Sequence, residues 1–195
     1  MSFLPLETIL SGERVALRAP RASDAKRLVE IRSRSRHFLA PWVSLPSADE
    51  FEIEPTRAQL LQERQWFRGD RHYKFVMTDG PNGEIIGRVS LSQVFRGVFQ
   101  NAYLGYWIDV EHQGRGFTTE GVRLALGAAF GPLGLHRVQA AILPDNEASL
   151  AVASKVGLRL EGRAERYLQI AGVWRDHLIF AITAEEWTGR ERRLR

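Results

Sequence analysis

Alternating polar and apolar residues predict a chain in which strands outnumber helices. A period of two, typical of half-buried strands, runs through residues 13–18. Clusters of aromatic and β-branched residues predict further strands, and residues 79–83 have the composition of a hairpin turn between two of them. The strands after the first are predicted over residues 73–78, 85–91, 103–110, 137–142, 158–168 and 173–181.

Four segments carry the apolar spacing of amphipathic helices. The first shows an apolar stripe over residues 22–36, with Ser23 or Asp24 as its N-cap. Residues 38–55 contain three prolines and no clear period, which predicts a loop. The other helices are predicted over residues 56–67, 118–130 and 147–156.

This order of elements indicates a single domain of the α/β class, in its α+β form, built on a mixed sheet of about seven strands. Several strands follow one another through short turns, which gives antiparallel pairing. The sheet should therefore be mostly antiparallel, with helices on both faces. A chain of 195 residues that is 44% hydrophobic can bury one substantial core, so we expect one domain over residues 1–189.

The absence of cysteine narrows the available chemistry. It excludes disulfides, zinc–thiolate sites, iron–sulfur clusters and a cysteine nucleophile, and it fits a reducing compartment. No apolar run reaches the roughly 18 residues of a membrane-spanning helix, and the five histidines show no paired ligand spacing. We therefore expect a cytoplasmic protein with no membrane segment and no bound metal.

The charge is almost entirely arginine. The net charge is +4, and only three of the 27 basic residues are lysine. Arginine binds phosphates bidentately, which favours a phosphate-bearing partner, although a genomic bias toward arginine codons would give the same composition. Residues 190–195 carry four of the arginines. We predict that they form a basic tail, which could contact RNA or the ribosome weakly.

A glycine-containing loop, Gln113-Gly-Arg-Gly-Phe-Thr-Thr119, separates a predicted strand from a predicted helix. Its glycines allow a ligand to approach the backbone closely, and a helix start offers unpaired N–H groups that suit a phosphate. Glycines before a helix also serve tight turns. The loop is therefore a candidate anion site that needs a second observation.

Two common phosphate motifs do not fit this loop. A dinucleotide fingerprint requires glycine or alanine where Thr119 stands. A P-loop requires lysine and then a hydroxyl residue where Val122 and Arg123 stand. A dinucleotide-binding protein and a nucleoside triphosphatase are both disfavoured.

The loop does resemble the acyl-CoA loop Gln/Arg-x-x-Gly-x-Gly/Ala of the GNAT family of N-acetyltransferases, with Thr118 in the final place. The second signature of that family is similar to Pro144-Asp-Asn-Glu-Ala-Ser149 followed by Lys155-x-Gly-Leu158. The RimJ-like ribosomal-protein-alanine N-acetyltransferases are the most similar branch, and the resemblance covers nearly the whole chain. It is carried there by Tyr103-Leu-Gly-Tyr-Trp107, Ala171-Gly-Val-Trp-Arg-Asp-His177 and Ala181-Ile-Thr-x-x-x-Trp187.

The resemblance implies a binding mode for acetyl-CoA. The strands at 103–110 and 137–142 would splay apart, and the pantetheine arm would fill the cleft like an added strand. The side chains of Ile108 and Val110 are equally compatible with ordinary packing in a core strand. Asn146 and Ser149 are also compatible with capping a helix. The implied coenzyme-binding residues are Ile108, Val110, Gln113, Gly114, Arg115, Gly116, Phe117, Thr118, Thr119, Asn146 and Ser149.

The implied reaction is direct acetyl transfer, in which an amine attacks the thioester and no enzyme nucleophile is needed. Many relatives carry a tyrosine where this chain has Ala153, so Ser149 is the remaining proton donor or sulfur contact. The carboxylates that serve some relatives as base are replaced by Pro144 and Tyr103. Candidates for a base or for positioning a water are Tyr106, Glu165 and Asp176, each of which also suits a strand face or an ion pair.

Amine chemistry favours an α-amino acceptor. Neutralising a lysine amine with a pKa of about 10.4 costs roughly 4.6 kcal/mol at pH 7, whereas an α-amine with a pKa near about 7.8 costs about 1 kcal/mol. Together with the resemblance, the lower cost of neutralising an α-amine predicts acetylation of a protein N-terminus, such as the N-terminal alanine of a ribosomal protein. The alternatives are a small-molecule amine as acceptor, or a CoA- or RNA-binding module with little turnover.

Two further features stay open at the sequence level. The basic aromatic segment 32–42 could line the acceptor site or form a solvated helix face. His136 and His177 are expected to be structural. The sequence is compatible with a monomer or a homodimer.

Overall fold

The framework of the protein is an eight-stranded mixed sheet in the order β1-β2-β3-β4-β5-β6-β8-β7. The computed structural model describes residues 3–43 and 48–187. All neighbouring strands pair antiparallel except β5 and β6, which are parallel. The strands are β1 (Ile9–Ser11), β2 (Val15–Arg18), β3 (Tyr73–Asp79), β4 (Ile85–Phe95), β5 (Asn101–Ile108), β6 (Arg137–Ile142), β7 (Arg159–Ile170) and β8 (Val173–Thr183).

Helices cover both faces of this sheet, as predicted. On one face, Leu28 of α1 and Leu60 of α2 pack with Val76 of β3. On the other face, Gly121 of α3 lies directly against Met77 of β3, and α4 packs beside α3. The helices are α1 (Ala25–Leu39), α2 (Ile53–Arg68), α3 (Phe117–Phe130) and α4 (Glu147–Val156).

Several predicted bounds differ from the structure, and three of the differences matter for the sheet and the site. The sheet has eight strands rather than about seven, because the three-residue β1 is too short to show a period and is recognisable only by its pairing with β2. The predicted loop 38–55 is partly helical, because α2 begins at Ile53 and holds Pro55 in its first turn, where no N–H donor is needed. Strand β5 ends at Ile108, two residues before the predicted end.

The two central strands separate after a short stretch of pairing. Strand β5 pairs with β6 only from Asn101 to Tyr103, and the rest of β5 has no partner on that side. This confirms the predicted splayed pair. The separation leaves an open strand edge in the middle of the sheet.

The described residues end at Trp187, so the predicted domain boundary at 189 and the basic tail 190–195 lie outside them. Within the described ranges, no helix is long and apolar enough to cross a membrane.

A buried ion pair ties α2 to the sheet. Glu63 is 1% exposed and Arg88 is 6% exposed, and their side chains form two hydrogen bonds of 3.3 and 2.5 Å. The Arg88 guanidinium also donates to the backbone oxygens of Phe75 and Lys74. Removing one member of such a pair leaves an uncompensated buried charge.

We therefore predict that Glu63→Ala destabilises the protein by about 3–5 kcal/mol in urea unfolding. The matched control is Glu54→Ala in the exposed first turn of α2, where the pair with Arg57 is solvent-accessible. That variant should lose less than about 1 kcal/mol. Equal losses in the two variants would contradict the assignment of Glu63 as a structural anchor.

Candidate functional site

A cleft of about 560 Å³ opens where β5 leaves β6. It runs through the sheet, because its walls come from α4 on one face and from the end of α1 on the other. The predicted residues Tyr106, Ile108, Thr118, Asn146 and Ser149 all lie along it. The fold thus brings together residues from three separate sequence motifs.

The β5 backbone presents free polar groups to this cleft. The N–H of Asp109 donates to the carbonyl of Ile86 in β4 at 2.8 Å. Because backbone groups alternate in direction along a strand, those of Tyr106 and Ile108 point the other way, toward the cleft, beyond the last residue that pairs with β6. The structure thus presents the backbone of Ile108, a predicted contact, to the cleft together with that of Tyr106, which the sequence motif did not indicate.

Val110 does not continue that ladder. It begins a 3₁₀ turn over Val110–His112, and its N–H donates to Ser35 Oγ at 3.1 Å. The N–H is therefore already used, and only the Val110 carbonyl could serve a ligand.

The irregularity in the pairing of β4 with β5 lies in β4, between Ser92 and Phe95. A bulge in β5 therefore does not expose its edge. The edge is exposed because β6 diverges from β5 after Tyr103.

The loop after this turn, which is the predicted anion site, ends at the start of α3. Gly114 has φ of 72° and Gly116 has φ of 83°, a left-handed conformation that favours glycine. The first helical bond of α3 runs from the N–H of Glu120 to the Gly116 carbonyl at 3.2 Å. The N–H groups of the preceding turn have no helical acceptor and point out of the helix end.

The loop is fixed from outside by Arg14, a residue that no motif pointed to. Its guanidinium donates to the carbonyl of Arg115 at 3.0 Å and to Glu120 at 3.1 Å. Arg14 and Arg115 also lie over the ring of Phe117, at 5.2 and 4.7 Å from its centroid. Phe117 is a buried core residue, so its side chain anchors the loop and only its backbone could contact a ligand.

Glu120 completes this anchor. It accepts the backbone N–H groups of Arg14 and Val15 at 2.7 and 3.2 Å. Burial acts to raise the pKa of Glu120, but these hydrogen bonds hold it below the ordinary value. The carboxylate is therefore ionised and joins the start of β2 to the first turn of α3.

The two threonines of the loop face different spaces. Thr118 lines the cleft, whereas Thr119 lines a second cavity of about 400 Å³ in which Arg14, Arg123 and Lys155 outnumber the carboxylates of Glu13 and Glu120. Residues 113–115 lie on the exposed turn before both threonines. The loop thus borders a largely apolar cleft and a surface cavity with an excess of basic groups, an arrangement suited to a ligand with an anionic middle section.

A larger cavity, about 1230 Å³, lies between β1, α3 and Trp187. It contains none of the predicted site residues. The smaller cleft is the site because it holds the convergent polar groups and the open strand edge.

The start of α4 confirms the helix-capping interpretation of Asn146. Its Oδ1 accepts the N–H of Ser149 at 3.1 Å, and the Ser149 carbonyl accepts the hydroxyl of Tyr106 at 3.2 Å. All three residues still line the cleft, so coenzyme contacts by Asn146 and Ser149 remain predictions.

None of the three predicted base candidates fits that role. Burial raises the pKa of Tyr106 to about 12, so its hydroxyl stays protonated and acts as a donor. Asp176 accepts the Arg166 N–H at 2.8 Å and pairs with Arg163 at 2.6 Å, and these contacts lower its pKa. Glu165 is exposed on β7, and neither carboxylate lines the cleft.

The segment 32–42 has two roles. Its aromatic residues Phe38 and Trp42 line the cleft at the end of α1. Its arginines instead make structural contacts, since Arg36 lies over the ring of Phe51 and Arg34 pairs with Asp109.

Asp109 is the buried centre of the site's framework. Arg34 donates to both of its carboxylate oxygens, Ser35 Oγ to one of them at 3.3 Å, and the Glu111 N–H at 3.4 Å. Burial acts to raise the pKa of Asp109, but the Arg34 hydrogen bonds hold it below the ordinary value. One carboxylate thus fixes the end of β5, the following turn and α1. Among the described residues, no group of three or more His, Asp or Glu is placed to hold a metal ion.

Known proteins resemble this chain over nearly its whole length. The family described as an acetyltransferase (GNAT) domain matches residues 14–159. The ribosomal protein uS5-alanine N-acetyltransferase of Escherichia coli is 34% identical over 181 residues, which cover 92% of each chain. The probable N-acetyltransferase YjcK of Bacillus subtilis is 34% identical over 174 residues, covering 89% of this chain and 96% of that protein.

A solved structure is also similar to this chain in both fold and sequence. Mycobacterium smegmatis RimJ in complex with CoA-disulfide has a TM-score of 0.85 and 34% identity, covering 91% of this chain and 85% of that one.

We predict that Asp109→Asn lowers the free energy of unfolding at pH 7 by about 1.5–3 kcal/mol, because Arg34 loses its charged acceptor. The folded-state pKa of Asp109 lies below the unfolded value of about 3.9. Its stabilisation is therefore complete above about pH 4 and lost as the pH falls through the folded-state pKa.

Urea unfolding from about pH 7 down to about pH 3 should show the native and Asp109→Asn curves converging at acid pH. Asp79→Asn, at an exposed position that ends β3, is the control and should change stability by no more than about 0.5 kcal/mol. A deficit that does not depend on pH would contradict the role of the ionised carboxylate.

Proposed function

The chain belongs to the GNAT family of N-acetyltransferases, and we propose that it transfers the acetyl group of acetyl-CoA to the α-amine of a protein N-terminus, the N-terminal alanine of a ribosomal protein. The observation that carries this proposal is the cleft through the sheet, which joins an open strand edge and a helix start on one side to an aromatic opening on the other. A ribosomal acceptor would place the reaction in the cytoplasm.

The donor side of the cleft fits acetyl-CoA. The unpaired backbone groups of Tyr106 and Ile108 would hold the pantetheine amides as an added strand would. The free N–H groups before Glu120 would hold the pyrophosphate, with the basic cavity beside Thr119 adding positive charge. Bound there, the coenzyme supplies an activated acetyl group, and the protein needs no nucleophile of its own.

The acceptor side fits a chain terminus. Phe38 and Trp42 line the cleft on this side, and the exposed carboxylate of Glu147 also borders it. An acidic group attracts a cationic ammonium. The uS5-alanine activity of the 34%-identical relative supports an N-terminal alanine.

The direct test is acetyl transfer by the purified protein. With acetyl-CoA, a peptide that begins with alanine should release free CoA and gain one acetyl group at its α-amine, as measured by thiol release and mass spectrometry. The same peptide with a blocked N-terminus and an internal lysine is the control and should stay unmodified. Transfer only to small amines would show that the acceptor is a small molecule and not a protein N-terminus. Coenzyme binding without transfer would refute the proposed reaction.

Gly116→Ala should weaken binding of CoA by about tenfold or more. A side chain at φ of 83° costs about 1–2 kcal/mol, and the added Cβ would lie 3.3 Å from the Arg14 guanidinium that holds the loop. Isothermal calorimetry with CoA measures the effect.

The matched control is Gly127→Ala in α3, where an added Cβ meets no atom within 4 Å. It should bind CoA normally and gain about 0.5–1 kcal/mol of stability. Equal affinities of the two variants for CoA would argue against a coenzyme at the loop.

A further inference from the structure

His177 lies on β8 at the acceptor side of the cleft. Its neighbour Leu178 pairs with Ile142 of β6, and Ile142 belongs to the core formed with α3 and α4. Because adjacent side chains on a strand point to opposite faces, His177 projects from the face that carries α1. It lines the cleft there together with Phe38 and Trp42.

One nitrogen of this imidazole is committed to the backbone. Nδ1 lies 3.0 Å from the carbonyl oxygen of Arg175. A carbonyl only accepts hydrogen bonds, so Nδ1 carries the hydrogen. The neutral ring therefore holds its lone pair on Nε2.

The other nitrogen is open to the cleft. In the described ranges, four side-chain atoms are fully buried without a partner: Arg27 Nε, Thr56 Oγ1 and both amide atoms of Asn101. His177 is only 3% exposed, yet its Nε2 is neither among these atoms nor in a described hydrogen bond. Its remaining accessible surface therefore faces the cavity.

The other titratable groups along the cleft are less suited to accept a proton. Tyr106 is a donor with a raised pKa. Asp145 pairs with Arg175 at 2.9 Å, and Glu147 is exposed at the rim. Among the described titratable side chains that line the cleft, His177 is the one that is enclosed and has an uncommitted lone pair.

We infer that His177 is the general base that removes the proton from the acceptor amine. This assignment rests on the proposed function. His177 Nε2 takes one proton from the ammonium form of the acceptor. The neutral nitrogen then forms the amide bond with the acetyl carbon as the carbon–sulfur bond breaks, and the second proton passes from that nitrogen to the departing sulfur. The sulfur leaves as a thiolate and takes up a proton, so the histidine is free for another turnover once it releases its own.

Several charged and titratable groups surround this imidazole. The ring of Tyr167 in β7 contacts it edge to face, with centroids 5.8 Å apart, and the pKa of Tyr167 is raised by burial and by Tyr103. The groups that neighbour His177 along β8, β7, β5 and the cleft rim are Arg175, Asp176, Tyr167, Tyr103, Tyr106, Asp145 and Glu147.

The test uses His177→Asn, because the asparagine amide can still donate to the Arg175 carbonyl while Nε2 is lost. At about pH 7, kcat/KM with an alanine peptide should fall about 100-fold or more. The deficit should shrink toward about pH 9, where the amine loses its proton without help. Affinity for CoA should stay within about twofold of the native protein, since His177 lies on the other face.

The matched control is His136→Asn, at a surface histidine whose side chain is 55% exposed and pairs with Glu185. Its rates should equal those of the native protein at every pH. A deficit of His177→Asn that is constant with pH, or accompanied by weaker CoA binding, would assign a structural role and overturn the inference. Unchanged rates would also overturn it.

A second measurement needs no variant. In native protein labelled with ¹⁵N-histidine, the His177 ring should show the Nδ1–H tautomer, with Nε2 unprotonated at about pH 8. A Nε2–H tautomer would exclude the base even if His177→Asn failed to fold. Absence of transfer by the native protein to any peptide would instead refute the proposed function and this inference with it.

Discussion

The separation of β5 from β6 is the constraint on which the rest of the site depends. After three paired residues the strands part, and the β5 edge is left with polar backbone groups inside the protein. Such groups require partners from water or from a ligand with the hydrogen-bonding pattern of a strand. The fold therefore selects an extended amide-containing ligand before any side chain contributes, which explains why the cleft needs few specific residues along its length.

Keeping the strands apart requires support at the end of β5, and a single buried carboxylate provides much of it. Asp109 is fully buried and is held by Arg34 and Ser35 of α1. Ser35 in turn takes the Val110 N–H, which stops the strand and directs the chain into the glycine loop. The helix that bears the acceptor-side aromatics is thus joined to the segment that forms the anion site. A substitution that displaces one side of the cleft should therefore displace the other.

The sequence was informative where function is encoded in contiguous residues. The alternating patterns located the seven longer strands, and the glycine loop and the Asn146 motif located the two helix starts that meet at the cleft. Arg14 and Asp109 could not be found this way, because each acts through a contact about 75 to 106 positions distant along the chain. The base candidates failed for a related reason: residue type suggested Asp176 and Tyr106, but only the structure revealed that their oxygens are already engaged.

In the proposed reaction, the two faces of the sheet divide the proton chemistry. Tyr106 and Ser149 lie toward α4, on the coenzyme side, and the raised pKa of Tyr106 keeps a hydroxyl donor there. His177 lies toward α1 and offers a lone pair to the acceptor. Because the sheet lies between them, the Tyr106 hydroxyl donates to the Ser149 carbonyl and leaves the lone pair of His177 unoccupied. Under this proposal the proton acceptor lies on one face of the sheet, and Ser149, the candidate donor at the start of α4, lies on the other.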